Sequence, residues 1–269
     1  MIGPAPLFCP ADRTDRYLKA AAVADSVILD LEDAVAPADK AAARERFVAH
    51  AASAEALDPE RTVVRVNPVG TDDHALDLAA VARTPYRTLM LAKTEGAAQL
   101  DALGGAGFRV IALCETVLGV ERAGEIAAHP AVIAAMWGAE DLAASMGGRS
   151  SRRDDGRYRD FARYARSRVL FAAKAAGRLA IDAVFMDIPD LAALHEEAVD
   201  AVSSGFDATA CIHPSQVAVV REAYRAAPEQ LAWAERVLAE AERRPGVFRF
   251  EDRMIDEPLL RQARSMLGR

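Results

Sequence analysis

The chain has 269 residues, 52% of them hydrophobic and 27% charged, enough apolar material for one sizeable core and too much charge for a fibre or a membrane protein. A net charge of −7 and a pI of about 5.4 argue against a nucleic-acid partner, whose recognition leaves a basic footprint. Cys9, Cys114 and Cys211 are odd in number and widely spaced, which excludes a disulfide framework and a paired-cysteine metal site and fits a reducing compartment. No apolar run approaches the roughly 20 residues that span a bilayer, and Met1 to Phe8 shows neither a basic n-region nor a long apolar stretch, so a cytoplasmic location is expected.

Taken in chain order, short apolar runs alternate with alanine-rich amphipathic stretches. Predicted strands are Ala5–Cys9, Ser26–Glu32, Thr62–Asn67, Thr88–Lys93, Arg109–Glu115, Val132–Gly138, Leu179–Met186 and Thr209–His213. The helices that follow them are predicted at Arg13–Ala24, Lys40–Ala52, Ala75–Val81, Ala97–Leu103, Val120–Ala128, Tyr158–Ala176, Leu191–Ser203 and Pro214–Tyr224. Eight strand–helix pairs in a chain of this length predict an α/β fold of the (β/α)8 (TIM) barrel type, which runs to about 250 residues, with a doubly wound open sheet as the alternative. Residues Ala139–Arg157, with the run GGRSSRRDDGR, are expected to form a long connection, either functional or a solvated surface loop. Beyond the eighth unit, Glu229–Arg243 is a further helix and Gly246–Arg269 a tail. The expected organisation is a barrel domain over 1–225 and a C-terminal helical extension over 226–269 that packs on a neighbouring subunit.

In a (β/α)8 barrel the chemistry sits at the C-terminal ends of the strands. The polar residues read there are Asp30, Glu32 and Asp33, then Asn67 with Arg65 inside its strand, Lys93, Glu115, Glu140 and Asp141, Asp187 with Asp182 near the start of its strand, and His213. A single charged residue at a strand end is usually the start of a solvated loop; the concentration of carboxylates at one rim carries more weight. Glu115 and Asp141 end adjacent strands, and two carboxylates completed by water and substrate oxygens suit Mg²⁺, with Mn²⁺ as an alternative. The bland option is that Glu115 caps a helix and Asp141 pairs with a loop arginine. Arg65 lies inside the apolar run VVRVNP, where it requires either a structural ion pair or a substrate carboxylate to grip bidentately. Asp30 and Glu32 share a strand face with Ile28 and are candidates for orienting a metal-bound water, for holding a lysine or arginine, or for acid–base work, with support of a metal ligand as the equal alternative to direct catalysis. His213 and Cys211 are expected to be structural.

The segments LFCPADR, SVILDLEDAV, VVRVNP, MLAKTE, IALCET, MWGAEDL and GFDATACIHPSQ stand in the order and spacing of a known family. Over about residues 6–245 the chain resembles the citrate lyase β-subunit-like proteins, within the wider group of HpcH/HpaI aldolases and CoA-ester lyases. The resemblance implies a (β/α)8 barrel, a trimeric assembly with a C-terminal extension that contacts a neighbour, Mg²⁺ held by Glu115 and Asp141, and Arg65 on the carboxylate of an oxo acid. It implies a Claisen-type cleavage, or the reverse condensation, in which a 3-hydroxyacyl-CoA such as citryl-, malyl- or citramalyl-CoA gives a 2-oxo acid and an acyl-CoA. Glu32, Asp30 or a water they orient is the expected base, and Arg149, Arg152 and Arg153 are expected contacts for CoA phosphates. The chain departs from the family pattern at Ala92, at Ala208–Thr209 and at Tyr224–Arg225–Ala226, which bears on the acyl-thioester side more than on the metal. Alternative functions are a metal-dependent aldolase on free 2-oxo acids, a non-catalytic acyl-carrier-binding subunit of a lyase complex, and a thioesterase at the same metal site.

Overall fold

A computed structural model describes residues 2–244 and 246–268. Eight strands, β1 (Pro6–Pro10), β2 (Ser26–Asp30), β3 (Thr62–Val66), β4 (Thr88–Leu91), β5 (Arg109–Cys114), β6 (Val132–Trp137), β7 (Leu179–Asp182) and β8 (Ala208–Thr209), pair in parallel and in sequence order. The sheet closes on itself: Leu7 bridges to Cys211, Phe8 N donates to Cys211 O at 2.9 Å and Cys211 N to Pro6 O at 2.8 Å. Consecutive order with closure is a (β/α)8 barrel; a doubly wound sheet reverses its order at a switch point.

Helices α1 (Tyr17–Val23), α2 (Lys40–Ala51), α3 (Asp72–Val81), α4 (Asp101–Gly105), α5 (Val117–Glu121), α6 (Ala123–Ala128), α7 (Ala139–Ser145), α8 (Asp160–Ala175), α9 (Leu191–Ser204) and α10 (Pro214–Ala223) connect and follow the strands. Their starts are chemical: the side chains of Thr71, Thr116 and Asp190 accept the N–H groups of His74, Gly119 and Ala193 as N-caps. Helix α9 ends at Gly205, whose φ of 105° is the left-handed cap that glycine adopts without steric cost. Inside the barrel Ile28, Val63, Met90, Ile111, Leu113 and Met136 pack with Ala134, Ile181, Ala208 and Ala210. Among the described residues no helix is long and apolar enough to cross a membrane.

The chain divides into a first compact unit ending at Glu222 and a second beginning at Ala223. The second holds α11 (Pro228–Arg243), an antiparallel pair β9 (Phe248–Phe250) and β10 (Arg253–Ile255), and α12 (Glu257–Met266), around Ala234, Val237, Phe248, Ile255, Leu260 and Ala263. The expected tail is thus folded. Its hairpin turn, Glu251–Asp252, has φ of 45° and 62°, the positive values that tight hairpins need and that Asn-Gly or Asp-Gly usually advertises. Without a glycine the turn carried no signal. Asp256, which accepts from Leu259 N at 3.3 Å, caps α12 in the ordinary way. The expected long connection after β6 is also corrected: it begins with α7, too short at seven residues to show a helical period.

Candidate active site

Side chains alternate along a strand, so residues two apart share a face. Ile28, Val63, Leu113 and Met136 fill the barrel interior, and Asp30, Arg65, Glu115 and Gly138 each follow two residues later, at the C-terminal mouth. Strand register sets Asp30 directly beside Arg65. The guanidinium grips that carboxylate with Nε at 2.7 Å and Nη2 at 2.5 Å, and its Nη1 lies 3.0 Å from Glu32 Oε2. Arg65 also lies 5.0 Å from the centroid of the Phe8 ring.

Asp30 accepts two more bonds, from Glu32 N at 2.9 Å and Ala34 N at 3.1 Å, which fold the chain into the turn after β2. A carboxylate has about four acceptor positions, and all four are used. Of the roles open to Asp30, holding an arginine is the one these bonds fill: it shapes the turn and orients Arg65. Glu32 keeps a more open role. Its Oε2 accepts from Asp33 N at 3.1 Å and its Oε1 meets the Lys93 ammonium. Burial raises its pKa, against the lowering pull of Arg65 and then Lys93.

Glu115 is 2% exposed. Its Oε1 accepts Lys93 N at 3.1 Å, so it does not cap a helix. Burial, and then the neighbouring Asp141 charge, push its pKa up to about 8. Gly138 makes the space for it: a Cβ at that position would sit 2.7 Å from Glu115 Oε2 and 2.9 Å from its Cβ. The Gly138 φ of −128° suits any residue, so the glycine is there for room and not for conformation. Gly138→Ala therefore folds but displaces the Glu115 carboxylate. Displacement of a functional group by about 1 Å costs on the order of 10²-fold in kcat/KM, and unchanged kinetics in the substituted protein would contradict this packing.

Lys93 is the residue on which the mouth converges. Its Nζ contacts Glu32 and lies 3.2 Å from Asp141 Oδ1, 3.3 Å from Asp33 Oδ2 and 4.0 Å from Glu115 Oε1. Its φ of 48° is in the left-handed region that a lysine seldom adopts. Five carboxylates (Asp30, Glu32, Asp33, Glu115, Asp141) thus share two cations, Arg65 and Lys93. Asp141, in the first turn of α7, pairs with Lys93 and not with a loop arginine.

Behind the mouth, Asn67 Nδ2 donates to Leu31 O at 2.9 Å and to Asp77 Oδ2 at 2.7 Å. Asp77 in turn accepts Arg44 Nε at 2.7 Å, and Lys40 donates to Asn67 Oδ1. Leu31 N bonds to Arg65 O at 3.0 Å, so the backbone between Asp30 and Glu32 is held from both sides.

Other expected rim residues lie off the mouth. Asp182 ends β7 facing outward, where it accepts Trp137 Nε1 at 2.6 Å and Arg166 Nη2 at 2.7 Å. Glu140 accepts from Ser151 Oγ at 2.5 Å and, with Asp187, lines a separate cavity of about 900 Å³ between the α7–α8 connection and α9. Arg152, expected as a mobile phosphate contact, is pinned there: it pairs with Glu197 and stacks 3.9 Å from the Tyr158 centroid. Arg153 pairs with Asp160 at 3.2 Å, and Arg149 is exposed. His213 is exposed beside Ser215, and Cys211 is fully buried with its pKa raised to about 12 by burial, as a packing residue would be.

Sequence inspection placed Lys93 on the rim but gave it no role, and it passed over Gly138. The motif MWGAED carried the signal for the second: a glycine closing an apolar strand marks a close approach.

The buried Glu115 also makes a stability prediction. Its folded pKa of about 8 exceeds its usual 4.5, so its contribution to stability is complete below 4.5 and is lost as pH rises through about 8. Without added metal, Glu115→Gln removes that loss: the melting temperature of the variant declines less steeply across this window than that of the parent, as calorimetry at several pH values would record. Parallel declines would contradict the assignment.

Barrel and mouth together define a (β/α)8 protein whose strand ends gather negative charge around one cationic position. The chain belongs to the HpcH/HpaI aldolase/citrate lyase family, whose sequence model matches residues 5–214. It is 57% identical over 267 residues to a citrate lyase subunit beta-like protein of Mycobacterium tuberculosis, covering 99% of this chain and 95% of that one. It is 31% identical to the mitochondrial citramalyl-CoA lyase of Homo sapiens, over 90% of this chain and 77% of that protein. A crystal structure of protein CitE from Mycobacterium tuberculosis in complex with magnesium, acetoacetate and coenzyme A superposes with a TM-score of 0.94 at 56% identity, covering 99% of this chain and 97% of that one.

Among the described residues, no three or more His, Cys, Asp or Glu side chains are grouped to hold a metal. Glu115 and Asp141 are a pair of hard oxygen donors, both within 4.0 Å of one ammonium group. That donor set fits a cation that keeps several waters or takes oxygens from a ligand, as Mg²⁺ does, and does not fit a closed zinc site.

Proposed function

We propose that the protein is a Mg²⁺-dependent carbon–carbon lyase that cleaves, or forms by condensation, a 3-hydroxyacyl-CoA, releasing a 2-oxo acid and an acyl-CoA. The observation that supports it best is the convergence of Glu115 and Asp141 on one cationic position beside Arg65, in a chain so similar to a protein that binds magnesium and coenzyme A together. Glu115 and Asp141 are the metal ligands in this proposal. When bound, Mg²⁺ supplies Lewis-acid polarisation of the substrate oxygen at the carbon that becomes the oxo group.

The chain's own residues do the rest. Arg65, held by two hydrogen bonds to Asp30, presents its remaining N–H groups to the carboxylate next to that carbon. Glu32 is the group placed to take the hydroxyl proton, since Asp30 has no acceptor position left. Loss of the proton leaves an electron pair on the oxygen, which forms the second bond of the carbonyl as the carbon–carbon bond breaks. The departing pair becomes a thioester enolate, and one proton returned to its α-carbon completes the acyl-CoA. A trimeric assembly in the cytoplasm, with the C-terminal extension against a neighbouring subunit, belongs to the same proposal and is tested by light scattering of the purified protein.

The test of function is a panel of citryl-, malyl-, citramalyl- and hydroxymethylglutaryl-CoA, with detection of the released oxo acid. Turnover of one ester that disappears with EDTA is the expected result. Turnover of a free 2-oxo-acid aldol instead, unaffected by CoA, would transfer the protein to the aldolase class.

A further inference from the structure

Lys93 joins four observations that the cleavage reaction does not use. Its ammonium lies within 4.0 Å of oxygens from Glu32, Asp33, Glu115 and Asp141, so it sits where their negative potential is concentrated. Its own backbone N–H holds Glu115 Oε1 at 3.1 Å, tying the position of the carboxylate to the residue that neutralises it. Its backbone is in the left-handed region, a local cost that persists where the surroundings impose it. Its side chain is 29% exposed, on a stem of four methylenes, and so has a more open path outward than Arg65, which is 11% exposed.

An ammonium and a divalent cation cannot share one position: both seek the same oxygens and repel each other. We propose that Lys93 is a built-in counter-ion that occupies the cation position between Glu115 and Asp141 in the metal-free protein and yields it when the metal arrives. Lys93 keeps the carboxylates apart from one another's repulsion and the site assembled while empty. Metal entry displaces the ammonium toward solvent. The metal then binds more weakly than the two carboxylates alone would hold it, because each binding event must displace the lysine. The inference rests on Glu115 and Asp141 being the metal ligands.

The test is calorimetric titration of Mg²⁺ into the full-length protein and into Lys93→Met and Lys93→Gln, with Glu115→Gln as the control. It is combined with amine-reactive labelling of the four lysines, followed peptide by peptide. Removal of a merely structural residue weakens metal binding, whereas removal of a competitor strengthens it. The expected result is Mg²⁺ binding tighter by about tenfold or more in both Lys93 variants. In the parent protein, Mg²⁺ increases labelling of Lys93 and leaves Lys40, buried against Asn67, unchanged as an internal reference. Equal or weaker binding in the variants overturns the inference while leaving the metal ligands in place. Tighter binding with no change in Lys93 labelling assigns the effect to overall charge and also overturns it. Absence of Mg²⁺ binding from the parent and both Lys93 variants removes the metal reading and the inference with it.

Discussion

Glu115→Gln and Asp141→Asn are each expected to lower Mg²⁺-dependent cleavage of the substrate ester by about 10³-fold or more. Each replacement keeps the shape of the side chain and removes one of two anionic donors. Lewis-acid polarisation supplies several kcal/mol to such a step, and each 1.36 kcal/mol is a factor of ten. The two variants differ in a second respect. Glu115 is buried and its pKa is raised to about 8, so above that pH its amide replacement relieves the folded protein of a desolvated charge. Asp141 is partly exposed, its side chain retaining 35% of its accessibility, and its replacement changes stability little. Steady-state kinetics over a range of Mg²⁺ concentrations, beside thermal melts, would record both effects. Activity retained at saturating metal in either variant would contradict the assignment of that residue.

The second large effect is expected at Arg65. Its side chain is 11% exposed, and it is the partner of two buried carboxylates, Asp30 and Glu32. Removing one partner of a buried ion pair leaves an uncompensated charge and costs about 3–5 kcal/mol. Arg65→Met is therefore expected to unfold at markedly lower denaturant concentration. Arg65→Lys keeps the charge but not the planar fork, so it loses the two-pronged contact with Asp30 and the free N–H groups offered to substrate. Its folding is expected to be affected less than that of Arg65→Met. In the condensation direction its KM for the oxo acid is expected to rise by about one to two orders of magnitude, in line with the 1.5–3 kcal/mol of a charge-assisted bond. Urea denaturation and oxo-acid saturation curves separate the two effects. Wild-type denaturation of Arg65→Met would show that the ion pairs hold nothing together.

Much of this geometry was legible in the sequence because strand parity is a simple rule. Eight apolar runs gave eight strands, and an inward Ile28, Val63 or Leu113 placed Asp30, Arg65 and Glu115 at the mouth two residues on. What parity could not give was saturation. Nothing in SVILDLED says that Asp30 spends two acceptor positions on its own turn and two on Arg65, which leaves Glu32 as the less encumbered carboxylate. Asp182, carried near the start of a predicted strand that proves shorter, obeys parity as well: it lies one residue past the inward Ile181 and so faces Trp137 and Arg166. Lys93 was hidden differently, since a residue just beyond its strand in a left-handed conformation obeys no strand period. The C-terminal hairpin escaped because Glu251–Asp252 takes positive φ without the glycine that signals it.

The central claim is that Glu115 and Asp141 jointly hold a divalent cation at the mouth of the barrel. The measurement that tests it most directly is an anomalous-scattering crystal structure of the protein soaked with Mn²⁺ and a 2-oxo acid. The predicted result is one anomalous peak in contact with a carboxylate oxygen from each of Glu115 and Asp141, with the oxo acid completing the shell and its carboxylate on Arg65. A peak bound elsewhere, with Glu115 still holding the Lys93 amide and Asp141 still on its ammonium, would contradict it.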